Sequence, residues 1–130
     1  MWSRASLSVL FLAVHAWHWR VIVVDPGVGF GDVGLYQWWA WDALERGTLP
    51  VLDHAWVYPA LAVLPVVAPG LASTVEWAPY ASAWMLLVTV ANAVATVALA
   101  RRSRLAAVWY LLLLAVLGPV AFGRLDAIAV

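Results

Sequence analysis

Apolar residues fall in long blocks separated by short polar breaks, and these blocks set the expected elements. Leu7 to Val24 is apolar apart from Ser8, His15, His18 and Arg20. Trp77 to Ala100 and Leu105 to Phe122 are cleaner runs, parted by Arg101-Arg102-Ser103-Arg104. Each of the three blocks matches the about 17–25 residues that a helix needs to cross a hydrocarbon core. A fourth stretch, Trp56 to Ser73, carries Pro59, Pro65 and Pro69. It is short and interrupted, so it is expected either to cross as a kinked helix or to dip in and return. A positive residue ahead of a short apolar stretch also resembles a signal peptide, but apolar character resumes at Val21, which favours an uncleaved helix over 7–24.

The polar residues gather in one place. Between the first two blocks, 25–55 holds Asp25, Asp32, Asp42, Glu45 and Asp53, five of the seven acidic residues, together with Trp38, Trp39 and Trp41. Asp25-Pro26-Gly27, followed by Gly29 and Gly31, signals a turn. Asp32 is placed to cap a helix over about Val33 to Arg46, with Gly47 ending it in the left-handed conformation. Asp42 and Arg46, four apart, suit a weak surface pair. The tryptophans suit a helix lying at headgroup level. The fold class expected is all-α, a polytopic transmembrane helix bundle of about four membrane segments (7–24, 56–73, 77–100, 105–122). Its extracytoplasmic first loop contains a short interfacial helix, and 123–130 opens a further, truncated segment.

Orientation depends on the Pro-rich stretch. With Arg4 cytoplasmic and four full crossings, the Arg101–Arg104 cluster faces outward, against the tendency of basic residues to stay inside. If 56–73 dips in and returns, that conflict disappears. Both versions leave Asp32 outside.

Composition sharpens this picture. Hydrophobic residues make up 66% and charged residues 11% of the 130, against roughly 45–50% and 25% in soluble domains. The net charge is zero, which argues against a nucleic-acid partner. The absence of Cys excludes disulfides and thiolate metal sites. His15 and His18 share a helical face, but no carboxylate pair joins them, so no metal site is expected. No phosphate-cradling Gly-rich loop, nucleophile elbow or zinc signature is present, and no cofactor is called for.

Candidate chemistry centres on Asp32, a carboxylate beside aromatic rings at a membrane edge. Burial there favours its protonated form and suits it to accept a proton, while a helix-capping role competes with this reading. Tyr36, one turn on, is placed to hydrogen-bond Asp32 or a substrate, or to anchor the interface. His54, with Asp53 and Tyr58, stands where the chain re-enters the apolar phase, suited to proton transfer, phosphate contact or a polar collar. Arg124 and Asp126 flank Leu125 at a membrane boundary, where charges are costly and often functional. Mid-span Asn92 is expected to bond across to another helix.

Three segments resemble a known family: Asp-Val-Gly-Leu-Tyr-Gln-Trp-Trp-Ala (Asp32 to Ala40) with Leu-Glu-Arg-Gly-Thr-Leu-Pro (Leu44 to Pro50); Trp-Val-Tyr-Pro-Ala-Leu-Ala-Val-Leu-Pro (Trp56 to Pro65); and Gly-Arg-Leu-Asp-Ala (Gly123 to Ala127). Together they are similar to the start of a polytopic glycosyltransferase of the GT-C superfamily, glycosyltransferase 87 family, which includes polyprenyl-phosphate-mannose-dependent mannosyltransferases. The family's Tyr-Pro-Pro has Ala60 at its last position here, and the later helices of such enzymes are not in this chain. The resemblance implies an inverting hexosyl- or mannosyltransferase in the inner membrane of a bacterium. Asp32 is then the general base that deprotonates an acceptor hydroxyl. Tyr36, His54, Tyr58, Arg124 and Asp126 are then substrate-binding. The implied partners are a polyprenyl-phosphate sugar donor, a glycan or glycolipid acceptor and the lipid bilayer. A non-enzymatic small membrane protein, as a transporter piece or assembly subunit, is the alternative, and a proton-carrying transporter using Asp32 or Asp126 ranks third.

Overall fold

The computed structural model describes residues 2–25, 27 and 31–125. They form α1 (Arg4–Val24), α2 (Gly31–Arg46), α3 (Pro50–Asp53), a 3-10 turn over Ala60–Ala62, α4 (Val63–Ala72), α5 (Trp77–Arg102), α6 (Arg104–Leu117) and α7 (Val120–Gly123), with no strand among the described residues. Asp126 and the rest of the expected final segment, and most of the turn before α2, lie outside the described residues.

Local chemistry explains most boundaries. Ser3 caps α1 by accepting the Ser6 amide, and Ser103 caps α6 by accepting the Ala106 amide. Each hydroxyl satisfies an amide that the first helical turn leaves without a partner. Gly27 donates to the Asp25 carboxylate at 3.2 Å, closing the expected turn. Gly47 follows α2 with φ of 72°, and Gly118 follows α6 with φ of 66°. Both adopt a conformation that side chains resist.

Two helices are long and apolar enough to cross a membrane, Arg4–Val24 and Ala78–Arg102. The stretches expected at 56–73 and 105–122 form shorter apolar helices, Ala60–Ala72 and Arg104–Leu117. At 1.5 Å per residue, ten-residue α4 rises only about 15 Å, half a hydrocarbon core. Its first turn follows Tyr58, which meets Tyr36 of α2, and Gly70 near its end packs on Ala40 and Leu44 of α2. Both ends of α4 therefore lie against the same helix. A Cβ at Gly70 would come within 2.9 Å of Leu44 Cδ1, so glycine permits this close approach.

α1 and α5 run antiparallel, and α6 returns parallel to α1. Leu7 packs with Leu99 and Ala107 at one end, and Trp19 Nε1 donates to Thr89 Oγ1 nearer the other. Arg104 donates to the Trp2 carbonyl at 2.9 Å. Arg4 and the Arg101–Arg104 cluster thus share one end of the bundle, while α2 and α4 cover the other.

The usual distribution of polarity is inverted along the bundle. Val9, Leu12 and Trp17 of α1, Leu86, Val90 and Val94 of α5, and Trp109, Leu113 and Val116 of α6 are exposed, whereas His15, His18, Asn92 and Thr96 are buried. His15 donates Nδ1–H to the Phe11 carbonyl at 2.9 Å, because a carbonyl only accepts. Its Nε2 is then the acceptor for the Asn92 amide at 3.3 Å, and Asn92 Oδ1 accepts the Tyr110 hydroxyl at 2.7 Å. One side chain of α5 therefore ties α1 to α6, as expected for Asn92. His18 donates Nδ1–H to the Val14 carbonyl at 2.6 Å and stacks on Phe122.

Replacing Asn92 by Leu leaves the His15 acceptor and the Tyr110 hydroxyl unpaired. The expected cost is about 1–2 kcal/mol of stability. It is measured by thermal unfolding in detergent, and Tyr110→Phe in the same background should add little because the Tyr110–Asn92 bond is already gone.

Candidate functional site

At the end covered by α2 and α4, an aromatic core surrounds the site. Tyr36, Trp39, Tyr80, Trp84 and Phe122 are buried together, with Trp56 and Tyr58 packed against them. α2 places Tyr36, Trp39 and Ala40 on one face through its helical repeat. Trp84 Nε1 donates to the Phe122 carbonyl at 2.8 Å, and Tyr80 donates to the Val66 carbonyl at 2.7 Å. These bonds satisfy each polar tip while the rings stay buried.

The positions singled out by the sequence separate into two groups along α2. The first gathers Asp32, Tyr36, Tyr58 and Arg124. Asp32 was expected to cap α2, but the helix begins at Gly31, and Asp32 sits inside its first turn. Its carboxylate there opposes the positive end of the helix dipole and meets Arg124 Nε at 3.4 Å. Both side chains remain open, 44% for Asp32 and 57% for Arg124.

Tyr36, fully buried, shares a hydrogen bond of 3.2 Å with the Tyr58 hydroxyl and accepts the Leu125 amide at 3.2 Å. Burial pushes the Tyr36 phenol well above its ordinary value, and the Tyr58 bond pushes it further. Tyr36 therefore stays protonated and acts as a hydrogen-bonding post rather than a base. The Leu125 bond also fixes where the chain leaves α7, and so where Arg124 stands. Four expected residues thus converge, from α2, the segment before α4, and the segment after α7.

The second group was not anticipated as a unit. Asp42 was expected in a surface pair with Arg46. The pair exists at 3.5 Å, but the Asp42 side chain is only 4% exposed, because its helical face turns toward the loop over 47–54. Asp42 accepts the Thr48 hydroxyl and, at 2.7 Å, His54 Nε2. The Thr48 bond, followed by the His54 bond, holds the Asp42 carboxyl below the usual carboxylate value. Asp53, considered beside His54, instead accepts the Leu49 amide at 2.7 Å and closes the short α3.

The spacing of Asp42 and Arg46 was visible in the sequence, whereas the convergence of Thr48 and His54 depends on how the loop folds back. Ten residues of α2 separate Asp32 from Asp42, about 15 Å of rise. Among the described residues no cluster of three or more metal-ligating side chains occurs.

Two outcomes test this arrangement. Tyr36→Phe deletes the acceptor of a buried amide and should cost about 1 kcal/mol; hydrogen exchange at the Leu125 amide should accelerate. Asp42 is depressed in the folded state, so its contribution is present above the ordinary 3.8 and is lost as pH falls through the lower folded value. Acid unfolding of the unmodified chain should show this limb, and Asp42→Asn should flatten it.

Comparison of the chain with family models, curated proteins and solved structures gave no match.

Proposed function

We propose that this chain belongs to a membrane glycosyltransferase that moves a hexose from a polyprenyl-phosphate donor to an extracytoplasmic glycan or glycolipid. The observation that carries the reading is the convergence of Asp32, Arg124, Tyr36 and Tyr58 at one end of the bundle. An open carboxylate is matched there to an open guanidinium, and the buried Tyr36 phenol bonds half-buried Tyr58 and the Leu125 amide beside Arg124. Asp32 is the general base, positioned to take the proton of an acceptor hydroxyl as it attacks the anomeric carbon. Among the described residues Arg124 is the cation paired with that carboxylate, and it is suited to a phosphate leaving group.

The bilayer enters through the exposed apolar faces of α1, α5 and α6. Contiguous exposed apolar surface of this kind marks an interaction or membrane face, and the polar side chains turn inward as they do in lipid. With Arg4 and the Arg101–Arg104 cluster cytoplasmic, α2 stands on the outer side, and α4 enters and returns on that side. A mainly apolar groove between α1 and α5, lined by Trp19, Ile22, Val23, Ala81 and Met85 with Ser82 at its side, faces the same end and suits the donor's hydrocarbon tail.

Asp32→Asn in the full-length protein should lower sugar transfer by about 100-fold or more, the usual worth of a positioned base, while membrane insertion and unfolding temperature stay unchanged. Transfer assayed with a polyprenyl-phosphate hexose in proteoliposomes decides it. Undiminished transfer removes Asp32 from the mechanism.

A further inference from the structure

Asp42 is almost wholly enclosed, so it cannot itself meet a solute. His54 can, because 27% of its side chain is open. A carboxylate only accepts, so the 2.7 Å contact puts a hydrogen on His54 Nε2. In the neutral ring the lone pair then sits on Nδ1. Among the described residues His54 makes no other side-chain hydrogen bond. Beside it stands Trp38, 43% exposed, its ring centroid 5.0 Å from that of His54. An acceptor nitrogen of fixed tautomer next to an open indole face is more than a loop clamp requires, since a clamp uses only the Nε2 side.

We propose that Trp38 and His54 form a binding subsite for a polyhydroxylated, sugar-like ligand, with Asp42 as the positioning residue. The apolar C–H face of a pyranose ring lies against the π-face of Trp38, and one hydroxyl at its edge donates to His54 Nδ1. Asp42 holds the imidazole in the acceptor tautomer, and Thr48 holds Asp42. Along α2, Trp38 stands six residues, about 9 Å, from Asp32, and Asp42 stands ten residues, about 15 Å, from it. That separation suits a unit of the acceptor glycan remote from the reacting hydroxyl. In giving the acceptor this place, the proposal rests on the transferase reading, but binding is measured without transfer.

The experiment uses the full chain in lipid nanodiscs with ¹⁵N-labelled histidine and methyl α-mannopyranoside as probe. His54 signals are assigned by their loss in His54→Gln. The expected result is a hydrogen on Nε2, and an Nδ1 resonance that moves with sugar at millimolar concentration. Trp38→Leu should weaken binding about tenfold, and Asp42→Asn should do the same by freeing the tautomer.

His54→Gln keeps a donor toward Asp42, and so the loop, but removes the ring acceptor. It should retain the unfolding temperature and lose binding, followed in this variant by saturation transfer from the protein to the sugar protons. A hydrogen found on Nδ1, no response to sugar, or unchanged affinity in His54→Gln would overturn the proposal. So would a Trp38→Leu variant that loses bilayer affinity but keeps the sugar, which would make Trp38 an anchor only. Sugar binding that survives while Asp32→Asn still transfers normally would sink the transferase mechanism and leave this subsite standing. The reverse pattern would sink the subsite alone.

Discussion

Asn92 is the interaction on which the remaining geometry depends. Its amide donates to His15 of α1 and accepts from Tyr110 of α6, so one side chain sets the register of three helices. Apolar faces alone slide easily past one another, because many offsets bury similar area. A buried amide left unpaired is costly, and it selects the offset that satisfies both of its ends. With α6 held in that register, α7 brings Phe122 beneath the α2 end of the bundle. Trp84 and Tyr36 then bind the Phe122 carbonyl and the Leu125 amide. Arg124 reaches Asp32 only because these steps precede it.

Four of the seven arginines share one end of the same axis. Arg4, Arg101, Arg102 and Arg104 collect where α1 begins and α5 turns into α6, whereas Asp32, Asp42 and Asp53 lie on or beside α2. The short, Pro-rich α4 makes this possible. A full-length helix there would deliver α5 to the opposite side and reverse the direction of everything after it. With α4 packed along α2, Arg104 reaches the Trp2 carbonyl and the arginines of α1 and of the α5–α6 turn meet at one end.

Much of the architecture was legible from local pattern. The helices at Leu7 to Val24 and Trp77 to Ala100, the stop at Gly47, the turn at Asp25 and the cross-helix role of Asn92 all follow from short-range rules. Those rules concern a residue and its immediate neighbours. Asp32 as a cap failed because α2 already includes Gly31 and Asp32; contacts beyond the first turn help set where a helix begins. Asp42 failed differently. Its type and its spacing from Arg46 were plain, but a carboxylate four residues from an arginine looks the same whether its face meets water or a loop.

Element type and the gathering of acids with tryptophans between two apolar runs were determined by sequence alone, because helix formation and hydrophobicity are sums over adjacent residues. Which carboxylate is enclosed and which is open was decided only by tertiary structure. Asp42 owes its burial to Thr48 and His54, and Asp32 owes its partner to a residue 92 positions away. Burial and pairing are sums over neighbours in space. The two aspartates share a helix and a residue type, and differ only in what the rest of the chain brings to them.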